Sequence, residues 1–273
     1  MAHQLLQGKK GIIFGALDEK SIAWKTALSV IKEGGEVVLS NAPMALRMGK
    51  IEELAKICNA PVIAADATSV ADLEQLMDET MSHFGGPFDF ILHSIGMSPN
   101  VRKCIAYTDT NYDNFLKTLD ISALSLHKVL QTAMKKDALK EWSSVVALSY
   151  IAAQRTFPKY NDMAEAKALM ESIARSFGYH YGFKKKVRVN TVSQSPTLTT
   201  AGSGVSGFDA FYQYAEKMSP LGNASADACA DFCTILFSDY TRMVTMQNLF
   251  HDGGFSFTGV SEPLLENLLN LNS

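Results

Sequence analysis

A chain of 273 residues, 47% of them hydrophobic, can fill the core of one doubly wound α/β domain. A formal charge of -3 and a pI near 6.1 leave no basic footprint for nucleic acid or for an anionic membrane surface. The first ten residues lack a signal-peptide pattern and no later stretch is long enough to span a bilayer, so a cytoplasmic protein without membrane contact is expected. Cys58, Cys104, Cys229 and Cys233 show neither disulfide-framework nor zinc-pair spacing; buried free thiols and no metal are expected.

Gly11-Ile12-Ile13-Phe14-Gly15 reads as a short buried strand, and Ser21 to Lys32 as an apolar-periodic helix with Ser21 as its N-cap. Gly15 stands alone where a dinucleotide fingerprint has three glycines. A glycine turn into a capped helix can still offer Gly15, Ser21 and Ile22 to a pyrophosphate, against the alternative of an ordinary βα turn. The second strand, Glu36 to Ser40, runs into Ser40-Asn41-Ala42-Pro43, with no carboxylate for a ribose 2′-hydroxyl, and Arg47 reads as a solvated charge starting the next helix. A third strand, Val62 to Asp66, ends where Asp66 and Ala67 can flank an adenine, or where Asp66 can cap the helix from Ser69.

Phe90 to Gly96 is a nearly continuous apolar strand of the doubly buried kind, so Ser94, Ile95 and Gly96 should border a cofactor. His93 is expected as a hydrogen-bonded core group rather than an acid or base. Helical periodicity covers Asn111 to Lys135, and Ser143 to Ser149 returns to strand.

Downstream, Leu148 to Lys167 joins strand to helix with two tyrosines and a lysine across the junction. Pro158 precedes a helical pattern from Asn161, which places Tyr160 at the helix start. At about 100° per residue Tyr160 and Lys167 would share a helix face, roughly 10 Å apart along the axis. A phenol of ordinary pKa near ~10 beside an ammonium near ~10.4 offers an O–H donor and a fixed charge to a developing oxyanion. A surface helix with an unrelated tyrosine and lysine is the bland alternative; Tyr150, closing the apolar strand toward the same crevice, favours the site.

Val187 to Ser193 is a sixth strand, followed by a stretch of small residues through Phe208 that includes Gly202, Gly204 and Gly207 and reads as a lid, against the alternative of a floppy surface loop. Within it Thr199 could reach a pyrophosphate and Phe208 could cover a substrate. Ser225 to Phe237 is a helix and Met246 to Gly254 a seventh strand. Lys184 to Lys186 is expected in a solvated turn, and Tyr181 with Lys185 as a chance Tyr-x3-Lys approaching a strand. Seven strands alternating with helices imply one doubly wound parallel sheet with helices on both faces.

Together these motifs resemble the short-chain dehydrogenase/reductase superfamily, and within it the divergent branch of enoyl-acyl-carrier-protein reductases. The resemblance rests on Gly15 with Ser21-Ile22-Ala23, His93-Ser94-Ile95-Gly96, Leu148-Ser149-Tyr150 with Tyr160 and Lys167, Val187-Arg188-Val189-Asn190, and His251-Asp252-Gly253-Gly254-Phe255. Other superfamily members carry Tyr-x3-Lys and a strand serine, whereas this chain has Tyr-x6-Lys and a second tyrosine ten residues upstream.

What the resemblance implies is a Rossmann-like single domain over 1–273, with a substrate lid at about 197–212. NADH, with NADPH as the alternative donor, would deliver hydride to C3 of a trans-2-enoyl thioester carried by acyl carrier protein, in bacterial type II fatty-acid elongation. Tyr160 would hydrogen-bond the enolate oxygen and Lys167 would hold the nicotinamide ribose. Tyr150, Met97, Met163 and Phe208 would line the substrate side, and Pro196, Thr197 and Thr199 the cofactor. A homotetramer is implied too. Two departures stand out: Ser195-Pro196-Thr197 replaces the usual Gly-Pro-Ile, and Val205 to Ala210 lacks the bases that meet an acidic carrier. The rival readings are a carbonyl or alcohol dehydrogenase and a catalytically silent dinucleotide-binding scaffold.

Overall fold

Seven strands pair into one parallel sheet in the computed structural model, which describes residues 3–200, 202 and 207–271. The strands are β1 Lys10–Phe14, β2 Glu36–Asn41, β3 Val62–Ala64, β4 Phe88–His93, β5 Leu139–Ser149, β6 Arg188–Gln194 and β7 Asn248–His251. Their order is β3-β2-β1-β4-β5-β6-β7, with every neighbour parallel. The chain thus steps outward from β1 to β3 and then returns to the other side of β1. That reversal makes a crevice at the C-terminal ends of β1 and β4, where open sheets of this kind take their ligands.

The helices are α1 Ile22–Lys32, α2 Pro43–Met48, α3 Ile51–Cys58, α4 Val70–Phe84, α5 Pro99–Arg102, α6 Tyr112–Leu119, α7 Ser125–Lys135, α8 Met163–Lys185, α9 Phe208–Met218, α10 Ala226–Phe237 and α11 Glu262–Leu271. Alternate strand residues point to opposite faces, so the sheet feeds two cores. Ile12, Phe14 and Val145 pack with α4, α7 and α8, while Ile13, Phe90 and Val146 pack with α1, α3 and α10. Burying each such side chain contributes about 1.5–3 kcal/mol, which is why the doubly covered strands read as continuous apolar runs. Between α6 and α7 a π-helical turn, Asp120–Leu124, keeps one long rod going; within it Ser122 Oγ accepts from Met97 N at 2.9 Å and donates to Met97 O.

Several sequence expectations need correction. The helix after Pro158 begins at Met163, not Asn161, so Tyr160 lies in a turn ahead of α8 and shares no helix face with Lys167. Lys159 and Asn161, on either side of it, take left-handed φ values of 67° and 42°. Non-glycine residues adopt that conformation only at a cost, and a chain in it cannot continue a helix. Tyr181 and Lys185 both belong to α8, so their spacing does fall on a helix; Tyr181 is buried in the core, and Lys185 pairs with Asp137 at 2.5 Å. Lys184 and Lys185 are likewise helical rather than in a turn. Cys104 is exposed, against the expectation for all four thiols, whereas Cys58, Cys229 and Cys233 are buried. Arg47 ends the short α2 instead of starting a helix. Of the expected lid, Gly204 and its neighbours 203, 205 and 206 lie outside the described residues. The helix α9 had no counterpart in the sequence reading.

Candidate active site

At the crevice, Gly15 leaves β1 with φ 93°, and its N–H donates to Ser40 O at 3.1 Å. A Cβ there would stand 2.0 Å from Ser94 O, so only glycine allows the two strand ends to approach this closely. Ser21 caps α1: its hydroxyl donates to Asp18 O at 2.8 Å and accepts from Trp24 N at 3.3 Å. Ile22, next in sequence, lines the main cavity. On β2, Asn41 is spent locally, its Nδ2 donating to Ala16 O. Asp66 accepts from Thr68 N and Oγ1, and it is Ser69 that caps α4. None of Gly15, Ser21, Asp66 and Ala67 lines that cavity, Asp66 and Ala67 lying after the edge strand β3.

The cavity measures about 570 Å³. It gathers Ser94, Ile95, Gly96 and Met97 after β4, Tyr150 after β5, Tyr160, Met163 and Lys167 at the head of α8, and Pro196, Thr197, Thr199 and Phe208 after β6. The Tyr150 and Tyr160 rings lie 5.2 Å apart at 56°. Phe157 and Phe211 close on Tyr150 from two other sides, at 5.4 and 6.3 Å, and meet each other edge to face at 5.0 Å. Such tilted contacts are the favoured aromatic geometry and leave an apolar, water-poor wall. The Tyr150 hydroxyl is buried without a hydrogen-bond partner among the described residues. Burial pushes both phenols well above their ordinary pKa, so both stay protonated donors.

Lys167 is 8% exposed, and its ammonium donates to Leu148 O at 2.6 Å. Desolvation brings its pKa down to about 8, an effect opposed by the carboxylate of Glu171 one helical turn on. Glu171 is itself held by Ser149 Oγ at 2.7 Å and Gln154 Nε2 at 3.2 Å. An ammonium has three protons, so Lys167 keeps donors for a ligand beyond the one given to Leu148. At Gly96 an added Cβ would sit 3.8 Å from the Lys167 ammonium and 3.6 Å from Met163, and its lack keeps the floor of the cavity open. His93 stays out of this chemistry: it is buried, its Nε2 bonds Ser125 Oγ at 2.8 Å, and burial lowers its pKa to about 3. After β6, Ser195 Oγ accepts from Ala224 N at 2.8 Å, which gives the unexpected serine a structural task.

The residues expected to gather at this site therefore do so, apart from Gly15, Ser21, Asp66 and Ala67. Phe157, Phe211, Lys159 and Arg102 also line it and had not been singled out. Phe157 was legible, since it adjoins Pro158 in the same junction. Phe211 belongs to α9, one turn from Phe208, and could be placed only once that helix was known.

Comparison with known proteins gives a consistent result. The family model described as enoyl-(acyl carrier protein) reductase matches residues 15–256. A Rhizobium meliloti enoyl-acyl-carrier-protein reductase (NADH) is 31% identical over 266 residues, 97% of each chain. A crystal structure of a FabI–NADH complex from Alistipes finegoldii superposes with a TM-score of 0.94 at 66% identity, over 95% of this chain and 92% of that one. An enoyl-acyl-carrier-protein reductase (NADH) structure from Aquifex aeolicus gives 0.87 at 29% identity, over 94% and 99%.

Proposed function

The chain belongs to the enoyl-(acyl-carrier-protein) reductase family, and on that premise we infer that its cavity is where a nicotinamide hydride meets an enoyl thioester. It reduces trans-2-enoyl-acyl-carrier-protein thioesters to saturated acyl thioesters with NADH, the last reductive step of bacterial type II fatty-acid elongation. The observation that carries the assignment of roles is the convergence of Tyr150, Tyr160 and Lys167 on one apolar cavity at the strand reversal.

A dinucleotide fits the residues present. Gly15 lets the ends of β1 and β4 approach at the crevice, Gly96 carries no side chain into the cavity it lines, and Lys167 has donors to spare. Ser94, Ile95, Gly96, Pro196 and Thr197 would flank the nicotinamide end, Lys167 would hold its ribose, and Gly15, Ser21, Ile22 and Thr199 would lie toward the pyrophosphate, with Asp66 and Ala67 by the adenine. Bound NADH supplies the hydride. Tyr160, kept protonated by burial, donates its O–H to the thioester oxygen as negative charge gathers there. Below about pH 8 Lys167 is an ammonium, which orients the ribose and adds a positive charge near the developing enolate. Tyr150, Met97, Met163, Phe157, Phe211 and Phe208 wall off water around the acyl chain.

We extend the reading to three features: a lid at about 197–212 within a single domain, a homotetramer, and action in the cytoplasm. The lid is supported by Thr197, Thr199, Gly202 and Phe208, which all line the cavity; unchanged hydrogen exchange in this stretch on adding ligand would refute it. Tyr112, Leu116, Tyr179 and Phe183 on α6 and α8 are 53–79% exposed, and covering them favours subunit contacts through these long helices. A monomer in sedimentation at micromolar concentration would contradict the tetramer. Among the described residues no helix is long and apolar enough to cross a membrane; recovery in the membrane fraction would contradict the cytoplasmic assignment.

The function is tested by following NADH absorbance with a crotonyl thioester. Steady oxidation that needs the thioester, and is much slower with NADPH or with a simple ketone, is expected. Ketone reduction alone would make the chain a carbonyl dehydrogenase, and binding without turnover a scaffold.

A further inference from the structure

Tyr160 sits outside the helix, between two left-handed residues, in a turn that has little regular structure to hold it. The side chains of the next two residues supply what the helix does not. Asn161 Nδ2 donates to Ile105 O at 2.9 Å, and its Oδ1 accepts from Thr110 Oγ1 at 2.9 Å. Asp162 is fully buried, and its carboxylate accepts from Ser98 Oγ at 2.5 Å, Asn100 Nδ2 at 2.7 Å and Thr118 Oγ1 at 2.9 Å. All three donors are neutral. Asp162 is the N-cap residue of the 23-residue α8 yet makes no side-chain cap bond to it, although aspartate is among the best residues for that task. The carboxylate turns away from its own helix and spans to the segment that follows Met97.

Both walls of the cavity meet at this carboxylate. Ser98 directly follows Met97, which is itself fixed to Ser122, while Tyr160 is two residues before Asp162 on the opposite side. We propose that Asp162 is the positioning residue for Tyr160: by clamping the Tyr160 turn to Ser98, Asn100 and Thr118 it sets the distance between the phenol and the wall carrying Ile95 and Met97. Removing one member of such a buried charged network leaves its remaining donors unpaired and lets the turn relax. A displacement of about 1 Å at a reacting group can lower turnover by roughly a hundredfold. The inference rests on the reading of Tyr160 as the donor to the thioester oxygen.

The test is a double-mutant cycle on kcat with crotonyl thioester, with NADH affinity read separately by fluorescence. Asp162→Asn, which keeps the shape but not the charge, should lower kcat about tenfold or more while NADH affinity changes less than about twofold. In a Tyr160→Phe background the same substitution should cost less than about twofold, because the hydroxyl it positions is gone. Equal losses in both backgrounds, or no loss in the native one, would overturn the proposal. A Tyr160→Phe enzyme as active as the native one would instead overturn the reading on which the proposal rests, and the role of Asp162 with it. Should Asp162→Asn fail to fold, Ser98→Ala removes the 2.5 Å donor, together with the cap that Ser98 Oγ gives Val101 N at the start of α5, and is judged by the same comparison.

Discussion

Lys167 is the shifted residue whose titration bears most directly on the site. An ordinary lysine stays charged to about pH 10, but burial brings this one down to about 8. Its folded pKa lies below the unfolded one, so the cost of burying the charge is fully present below about pH 8 and is relieved as pH rises from there toward the ordinary value. Dinucleotide affinity should run the other way, because in the proposed site the ribose is held by the ammonium. Titrated by fluorescence, NADH affinity should be flat up to about pH 8 and weaken progressively above it. Lys167→Met should bind about tenfold or more weakly, the scale of a hydrogen bond to a charged group, and should lose that pH dependence. Native affinity unchanged to about pH 10 would separate Lys167 from the ribose. The identities of Tyr150, Tyr160 and Lys167 were legible because few other residues at the strand–helix junction offer such chemistry. The geometry was not: two left-handed residues, Lys159 and Asn161, override the helical pattern around Tyr160, and although asparagine tolerates that conformation, nothing in the lysine announces it.

Among the elements, the β1-to-α1 connection shows how one glycine suffices where a fingerprint would supply three. With φ 93° and Ser94 O in the space a Cβ would take, Gly15 admits no side chain. Gly15→Ala should push the ends of β1 and β4 apart and weaken NADH binding by about tenfold or more, with about 1–3 kcal/mol lost from overall stability. Native-like affinity in the alanine variant would show that the strand ends have slack the structure does not suggest. The central strands were readable from composition because β1 and β4, covered on both faces, are nearly continuous apolar runs, whereas the equally buried β6 carries Arg188, Asn190 and Thr191, whose side chains bond to the segment before β7 or to its first residue. The element that escaped the sequence reading, α9, has aromatic residues with scattered partners: Phe211 meets Tyr150 and Phe157 across the cavity, Tyr214 meets Phe255 after β7, and Phe208 and Tyr212 meet each other. Its pattern makes sense only once the site exists. Cys104 illustrates the opposite limit, since it has the composition of a core residue but sits exposed at φ 53° after the four-residue α5.

For the whole molecule, the architecture follows from alternation of strands and helices, whereas the reversal of strand order that creates the crevice is a property of the complete sheet. Periodicity predicts seven strands and does not say that β4 returns beside β1. Once it does, the ends of β1, β4, β5 and β6 and the start of α8 converge, and the chemistry follows from that convergence. The central claim is that the cavity delivers hydride to the alkene carbon of an enoyl thioester while Tyr160 steadies the oxygen. It is tested most directly by supplying NADH carrying deuterium in the transferred position with crotonyl thioester, and locating the label by mass spectrometry and NMR. A butyryl thioester bearing one deuterium at C3, formed far more slowly by Tyr160→Phe, is the predicted result; label on the carbon of a reduced carbonyl, or no label transfer at all, would contradict it.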